Sequence, residues 1–181
     1  MKYEKEFEIR NGRKCLVRNA TIEDTEEVMR TFNLTHAETE NLLTYPEENT
    51  MKLEREQVFL RDALENEREV ELLAILDGKV VGDAGLTCVR DRIKTRHRAD
   101  LGLAVEKAYW HMGIGEALMK ACIECAGKAG YLQIELDAVA ENEKALNLYR
   151  KLGFTEFGRN PMGFRKKDGA FQELVMMRKI L

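Results

Sequence analysis

The stretch from His97 to Val139 constrains the fold most, because its apolar residues switch from a period of two to a helical period and back. "HRADLGLAV" (His97 to Val105) alternates, with Ala99, Leu101, Leu103 and Val105 on one side, and predicts a strand. From Gly113 the apolar positions fall at Ile114, Ala117, Leu118, Ala121, Cys122, Cys125 and Ala126, the i, i+3, i+4 spacing of one helical face, with Gly127 and Gly130 marking its end. "YLQIELDAV" (Tyr131 to Val139) alternates again, Leu132, Ile134, Leu136 and Ala138 against Gln133, Glu135 and Asp137. Strand, glycine turn, helix and strand make a βαβ unit.

The turn "HMGIGE" places Gly113 and Gly115 at the helix amino terminus. Backbone N–H groups there lack helical acceptors and carry partial positive charge, and glycine removes the Cβ that would hold an anion away. Phosphate is the anion that most often uses this arrangement, a purely structural tight turn being the alternative. A P-loop needs Lys followed by Ser or Thr after its last glycine, whereas Glu116 follows Gly115. The dinucleotide fingerprint needs a third Gly or Ala where Leu118 stands, and a first glycine directly after the strand, where "EKAYWHM" intervenes. Asp137 has the spacing of a ribose ligand but does not repair those two mismatches.

Further on, "ENEKALNLYRKLGF" carries Ala145, Leu148, Tyr149 and Leu152 at helical spacing, with Asn142 as its cap and Gly153 as its stop. Two short strands, near Phe154 to Phe157 and Phe171 to Met177, are expected around a polar loop, "GRNPMGFRKKDGA". In the first half a strand at Lys14 to Arg18 leads to Thr21, which caps a helix beginning "IEDTEEVMRTF". A second helix is expected from Leu53, Gln57, Leu60 and Leu64, and "VELLAILDGKVVGDAGLTCV" reads as a hairpin turning at Asp77-Gly78. With no repeat or linker in the chain, residues 1–181 are expected to form one domain.

Composition narrows the partners. A 44% hydrophobic content with two prolines implies a buried core rather than disorder. Acidic and basic residues number 32 and 29 with no long block of one sign, so neither a nucleic acid nor an anionic membrane is the expected partner. "MKYEKEFEIR" lacks the apolar centre of a signal peptide, and no apolar run approaches the roughly 18 residues of a membrane span, so a cytoplasmic address is expected. Cys122 and Cys125 have CxxC spacing, but no second pair completes a metal site and both lie on the apolar helix face. They are expected to be structural thiols, with no metal bound.

"LAVEKAYWHMGIGEALM" followed by "LDAVAENEKALNLYRKLGF" resembles the GCN5-related N-acetyltransferases (GNAT), and the order of elements fits that family from about Lys14 to the end. The resemblance implies a three-layer α/β/α fold around a central mixed, mostly antiparallel sheet, with acetyl-CoA as co-substrate and no metal. Carried over residue by residue, it assigns the strand backbone of Leu103, Ala104 and Val105 to the pantetheine amides. The N–H groups of His111, Met112, Gly113, Ile114, Gly115 and Glu116 fall to the pyrophosphate, the Asn142 side chain to the pantetheine, and the catalytic proton to Tyr149. Family members often carry Gln or Arg where Trp110 stands and Arg-Gly before the glycines; here Trp110, His111 and Met112 depart from that pattern, although backbone binding does not depend on their side chains.

Acetyl transfer to an amine requires a neutral nitrogen, a stabilised oxyanion and a protonated leaving thiol. A phenol, with pKa about 10, is protonated at neutral pH and can supply a thiolate of pKa about 8.5; otherwise Tyr149 is a core tyrosine. The register through Val105 puts Ala99 where the family often has a Glu base, with Asp100 beside it and pointing to the opposite face unless a bulge intervenes. Asp100 is therefore the candidate base or substrate ligand, a solvated carboxylate being the plain alternative, with His97 or a water relay as other routes. A backbone N–H near Leu103 is the expected oxyanion donor.

The basic stretches "RDRIKTRHRAD" and "GRNPMGFRKKDG" can face an acidic substrate, the 3′-phosphate of the cofactor, or solvent. "ETENLLTYPEEN", with Tyr45, Glu47 and Glu48, occupies the region that in this family usually covers the acceptor. The strand lead and carboxyl-terminal tail resemble enzymes acting on small amines such as amino acids. The expected activity is N-acetylation of such a small-molecule amine. A protein amino terminus or lysine is the rival acceptor, and a non-catalytic acyl-CoA sensor is a third reading. Homodimers are common in the family, but no interface is identifiable from the sequence.

Overall fold

The computed structural model describes residues 1–181, the side chain of Asn11 excepted. An antiparallel pair, β1 (Glu4–Glu8) and β2 (Lys14–Asn19), opens the chain. β1 was not foreseen, since it lies at the sheet edge with every residue but Phe7 exposed and carries no apolar alternation to read. Thr21 caps as expected, but its first turn, Ile22–Asp24, is a 3-10 helix in which Asp24 Oδ2 accepts from the Thr21 N–H at 2.8 Å and its hydroxyl at 2.9 Å. α1 (Thr25–Ala37) and α2 (Leu53–Glu65) follow. β3 (Val70–Leu76) and β4 (Lys79–Cys88) turn at Asp77 and Gly78, whose φ of 52° and 78° are the left-handed pair a tight two-residue hairpin requires.

β5 (Arg98–Val105), α3 (Ile114–Lys128) and β6 (Gln133–Val139) form the expected βαβ unit, and α4 (Glu143–Lys151), β7 (Thr155–Arg165) and β8 (Phe171–Ile180) complete the chain. The eight strands form one sheet in the order β1-β2-β3-β4-β5-β6-β8-β7. Every neighbouring pair is antiparallel except β5 and β6. α3 packs across β2 to β5 on one face, while α1 and α2 cover β3 to β5 on the other, giving the three layers implied by the resemblance. The main core lies under α3, where Cys122 and Cys125 are fully buried free thiols; burial pushes both above the ordinary thiol range, Cys125 to about 11. Leu60 of α2 packs with Leu73, Val80 and Ala20 in a smaller cluster on the opposite face.

The structure corrects the sequence reading at the carboxyl-terminal end. "GRNPMGFRKKDGA" is largely strand rather than loop, because β7 runs on through Arg165 and only the residues around Asp168 turn. As the other sheet edge, β7 accommodates Pro161 without losing a ladder donor, and its register slips between Glu156 and Gly158 and between Asn160 and Phe164. Leu132, placed on the apolar side of β6, precedes the strand and is 60% exposed. In α4 the buried leucine is Leu146, and Leu148 is only half-buried.

Two features fix how β4, β5 and α1 meet. A Cβ on Gly82 would lie 2.7 Å from the carbonyl oxygen of Ala104, so the two strands approach at a distance only glycine permits. Glu106, at the end of β5 and 2% exposed, accepts from Arg30 of α1 at 2.7 Å and from Lys79 of β4 at 3.2 Å, and Arg30 also donates to the Val80 carbonyl. Glu106→Ala strips two half-exposed cations of their common partner. The expected cost is about 2 kcal/mol, between the values for exposed and buried pairs, or a Tm lower by about 4–8 °C in scanning calorimetry.

Candidate active site

β5 and β6 pair only from Arg98 with Gln133 to Asp100 with Glu135. Beyond that point β5 stays on β4 as far as Val105 opposite Gly82, and β6 stays on β8 as far as Val139 opposite Leu174. The strands therefore part, leaving backbone groups on the facing edges without a ladder partner. A cleft of about 970 Å³ fills the opening and is lined by residues from both faces of the sheet.

On the α3 side the cleft ends at the glycine turn. Gly113 is the N-cap of α3 with φ 93°, and His111 is left-handed at 65°. The first helical hydrogen bond runs from the Ala117 N–H to the Gly113 carbonyl, so the amides of Ile114, Gly115 and Glu116 have no helical acceptor. Trp110, set apart in the sequence as a departure, donates its ring N–H to the Val105 carbonyl at 2.7 Å and so ties the turn to the end of β5. The Arg10 N–H donates to the Met112 carbonyl at 2.9 Å, bringing the β1–β2 turn alongside. Arg10, Lys120, Lys144 and Lys151 line this end. Glu116 offsets part of that charge by pairing with Lys120 at 2.8 Å and Lys151 at 2.6 Å.

Of the residues assigned to the cofactor and to catalysis, Leu103, Ala104, Val105, His111, Gly113 to Glu116, Asn142, Asp100 and Tyr149 line the cleft, and Met112 does not, its side chain packing on the core instead. His97 does not line it either: its carbonyl accepts the N–H groups of Leu132 and Gln133, and its side chain is exposed. Asn142 caps α4, its Oδ1 accepting the Ala145 N–H at 3.3 Å, which leaves its amide NH2 free to donate. Tyr149 is 9% exposed, lies against Phe154 and lines the cleft; burial pushes its pKa up to about 12.

Across the sheet, the face toward α1 and α2 carries four carboxylates, one on each of four adjacent strands: Glu71 on β3, Asp83 on β4, Asp100 on β5 and Asp137 on β6, all lining the cleft. The register explains why they share a face. Glu71 is opposite Gly85, which is opposite Gly102; Asp83 and Asp100 lie two residues from those glycines, and Asp137 lies two from Glu135, the partner of Asp100. β4 and β5 pair without a bulge, so Asp100 points away from Ala99 and Leu101, as a regular strand demands. Burial raises the pKa of all four. Asp83 and Glu56 add to the rise at Glu71, Glu56 to that at Asp83, Asp137 and Glu135 to that at Asp100, and Glu135 to that at Asp137. Asp83 reaches about 7.

Phe32 and His36 of α1 stack at 3.7 Å and line the same end, with Thr39, Leu42 and Leu43 beyond them. Tyr45, Glu47 and Glu48 do not line the main cleft: Tyr45 bonds Glu40, and Glu47 pairs with Lys167. Of the two basic stretches, only Phe164 and Asp100 reach the cleft. Arg98 pairs instead with Glu135, and Arg159 with Glu156 and Glu173. Sequence reasoning missed Glu71, Asp83, Phe32, His36 and Arg10 as site residues. The available signal was a lone acid inside each apolar strand of the hairpin, "VELLAIL" and "VVGDAGL".

Residues 29–154 match the acetyltransferase (GNAT) family. The L-amino acid N-acetyltransferase AaaT of Escherichia coli is 30% identical over 111 residues, 61% of this chain and 67% of that protein. A GNAT-family acetyltransferase from Streptococcus pneumoniae superposes with a TM-score of 0.88 at 28% identity, over 92% of this chain and 99% of that one. YncA of Salmonella typhimurium, solved with acetyl-CoA, has the same fold with a TM-score of 0.81 at 20% identity, over 92% and 94% of the two chains. No helix among the described residues is long and apolar enough to cross a membrane.

The raised carboxyls have a consequence for stability. With its pKa raised from 3.8 to about 7, Asp83 binds its proton more tightly folded than unfolded, so the stability it contributes is full below about pH 4 and is lost as the pH rises to about 7. Tm is expected to fall between about pH 5 and about pH 8, and Asp83→Asn to flatten that fall and raise Tm at the upper end by about 3 °C or more. Identical slopes for the two proteins in a thermal-denaturation series would exclude this contribution.

Proposed function

Because the chain belongs to the acetyltransferase (GNAT) family, we propose that it transfers an acetyl group from acetyl-CoA to a small primary amine by direct attack in a ternary complex. The observation that carries this reading is the polarity of the cleft. Free amides and cations at one end suit an anionic pyrophosphate, and carboxylates at the other suit an ammonium group, so the two reactants enter from opposite faces of the sheet. Amino acids, for which the Escherichia coli relative is named, are one class of such amine. In this reading residues 1–181 act as one domain.

The residues fit coenzyme A. The amides of His111 to Glu116 would hold the pyrophosphate; a Cβ on Gly115 would lie 3.5 Å from Leu103 and 3.6 Å from Leu148, so a side chain there would fill the passage between them. The open edge of β5 at Leu103, Ala104 and Val105 would pair with the pantetheine amides, and the Asn142 NH2 would donate to the same arm. The Val105 carbonyl accepts from Trp110 and keeps one lone pair for that arm. Acetyl-CoA, present in the Salmonella structure, supplies an acyl group activated as a thioester.

The chain moves the protons. Asp100, its carboxyl raised by burial and by the charges of Asp137 and Glu135, accepts a proton from the incoming ammonium, directly or through water; the rise brings its basicity closer to neutral pH. Tyr149, kept protonated by burial, holds its proton where the thiolate departs. The same burial makes complete loss of that proton costly, so hydrogen-bond donation supplies part of the stabilisation.

Tyr149→Phe is expected to lower kcat by roughly 100-fold, with the Kd for acetyl-CoA changed less than about threefold. Free-thiol release and calorimetric titration measure the two quantities, and an unchanged kcat removes Tyr149 from the acid role. Absence of acetyl-CoA binding would refute the reading as a whole. For Asp100→Asn the expected result is a lower kcat/KM and loss of the acid limb of the pH profile, since the carboxylate form is the active one and is lost as pH falls through its raised pKa.

A further inference from the structure

We propose that Glu71, Asp83, Asp100 and Asp137 form a subsite for the additional ammonium groups of a linear diamine or polyamine, so that the acceptor is a polycation carrying no carboxylate. The proposal rests on the acetyl-transfer reading and narrows its acceptor.

Gly85 and Gly102 lie side by side between the acids: the Glu71 carboxylate lies over Gly85, 2.9 Å from where a Cβ would stand, and a Cβ on Gly102 would meet nothing within 4 Å. With strands about 4.8 Å apart and alternate residues about 6.7 Å apart along a strand, Glu71 and Asp100 are separated by roughly 12 Å at the backbone, and Asp137, past the last β5–β6 pair, stands farther from Asp100 than the roughly 8 Å of a paired register. Among the described residues no three His, Cys, Asp or Glu side chains gather as a metal-binding group. Charges spread in this way answer several separate cations along a chain rather than one ion.

None of the four carboxylates accepts a hydrogen bond or a salt bridge from the described residues, although acids elsewhere in the fold are paired, as at Glu106, Glu135 and Glu116. A second observation points the same way. Glu56 of α2 is only 8% exposed, has no partner among the described residues, and adds its charge to Glu71 and Asp83 from behind. Glu71 and Asp83 are half-buried and Asp100 and Asp137 are exposed to the cleft, and carboxyls left without a partner here are neutralised either by a proton, as the raised pKa of Asp83 shows, or by an arriving cation.

The same end of the cleft offers a carboxylate no permanent positive charge, only neutral side chains such as Thr39 and Asn41. Its one basic side chain is His36, whose pKa burial lowers and whose Nδ1 is engaged by the Phe32 carbonyl at 2.8 Å. The lysines and Arg10 stand at the opposite end, beside the glycine turn. An α-amino acid would therefore present its carboxylate to four acids, while a polyamine presents methylenes to Phe32, Leu42, Leu43 and Phe164 and ammonium groups to the carboxylates.

Initial rates of thiol release with spermidine, putrescine, butylamine and leucine test this on the full chain, together with calorimetric titration of spermidine into the protein saturated with coenzyme A. Spermidine is expected to exceed butylamine and leucine in kcat/KM by at least about tenfold, as each desolvated charge-assisted contact warrants. Glu71→Gln is expected to reduce the ratio of spermidine to butylamine by about tenfold, chiefly through KM. The variant replaces a carboxyl that accepts no hydrogen bond from the described residues with an amide of the same shape and so should fold, which its Tm checks. Equal kcat/KM for the four amines, a preference for leucine, or a ratio unmoved by Glu71→Gln would overturn the proposal and leave acetyl transfer standing. Were acetyl-CoA not to bind, acetyl transfer would fail on its own. Spermidine titrated into the protein alone would then decide the subsite: binding weakened by Glu71→Gln supports it, and no binding overturns it.

Discussion

The parting of β5 from β6 is the constraint on which the rest of the site depends. Three residue pairs and the Arg98–Glu135 ion pair hold the strands together at one end. Past Asp100 each strand keeps only its outer neighbour, and the sheet acquires an opening without losing its core, because α3 spans β2 to β5 beneath it. Elsewhere unpaired strand edges in a protein interior would be a defect. Here they supply hydrogen-bonding groups along a passage that joins the two faces of the sheet.

That passage brings together groups that secondary structure would otherwise keep apart. α3 brings its amino terminus to one side, α4 brings Tyr149, and four strands bring one carboxylate each to the other. The resulting gradient, cationic at the glycine turn and acidic toward α1, matches the charges of a coenzyme pyrophosphate and an amine. It also sets basicity, since burial and mutual repulsion among the acids raise Asp100, Asp83, Glu71 and Asp137 together. The Glu106–Arg30–Lys79 network ties together β4, β5 and α1, elements that border the cleft.

Most elements were legible because their burial is periodic. α3 buries every apolar position read from its spacing, and the Asp77-Gly78 turn adopts the two positive φ values its residues favour. The failures lie where burial is not periodic. β1 and the outer part of β7 are edge strands with mostly exposed residues, so their sequences look like a charged terminus and a polar loop. Leu132 was misassigned because alternation continues one residue into a segment that has no strand partner there.

The sequence by itself determined the glycine turn before α3, the Asn142 cap and the place of Tyr149 on α4, since each depends on residues within a few positions of one another. It also marked Asp100 as a candidate, though only by its place along one strand. The convergence of Glu71, Asp83, Asp100 and Asp137, the approach of Arg10 to the turn and the hold of Trp110 on Val105 were decided by the tertiary structure. Which acids share a space depends on the register between strands far apart in the chain. A shift of one residue would turn any of them to the opposite face.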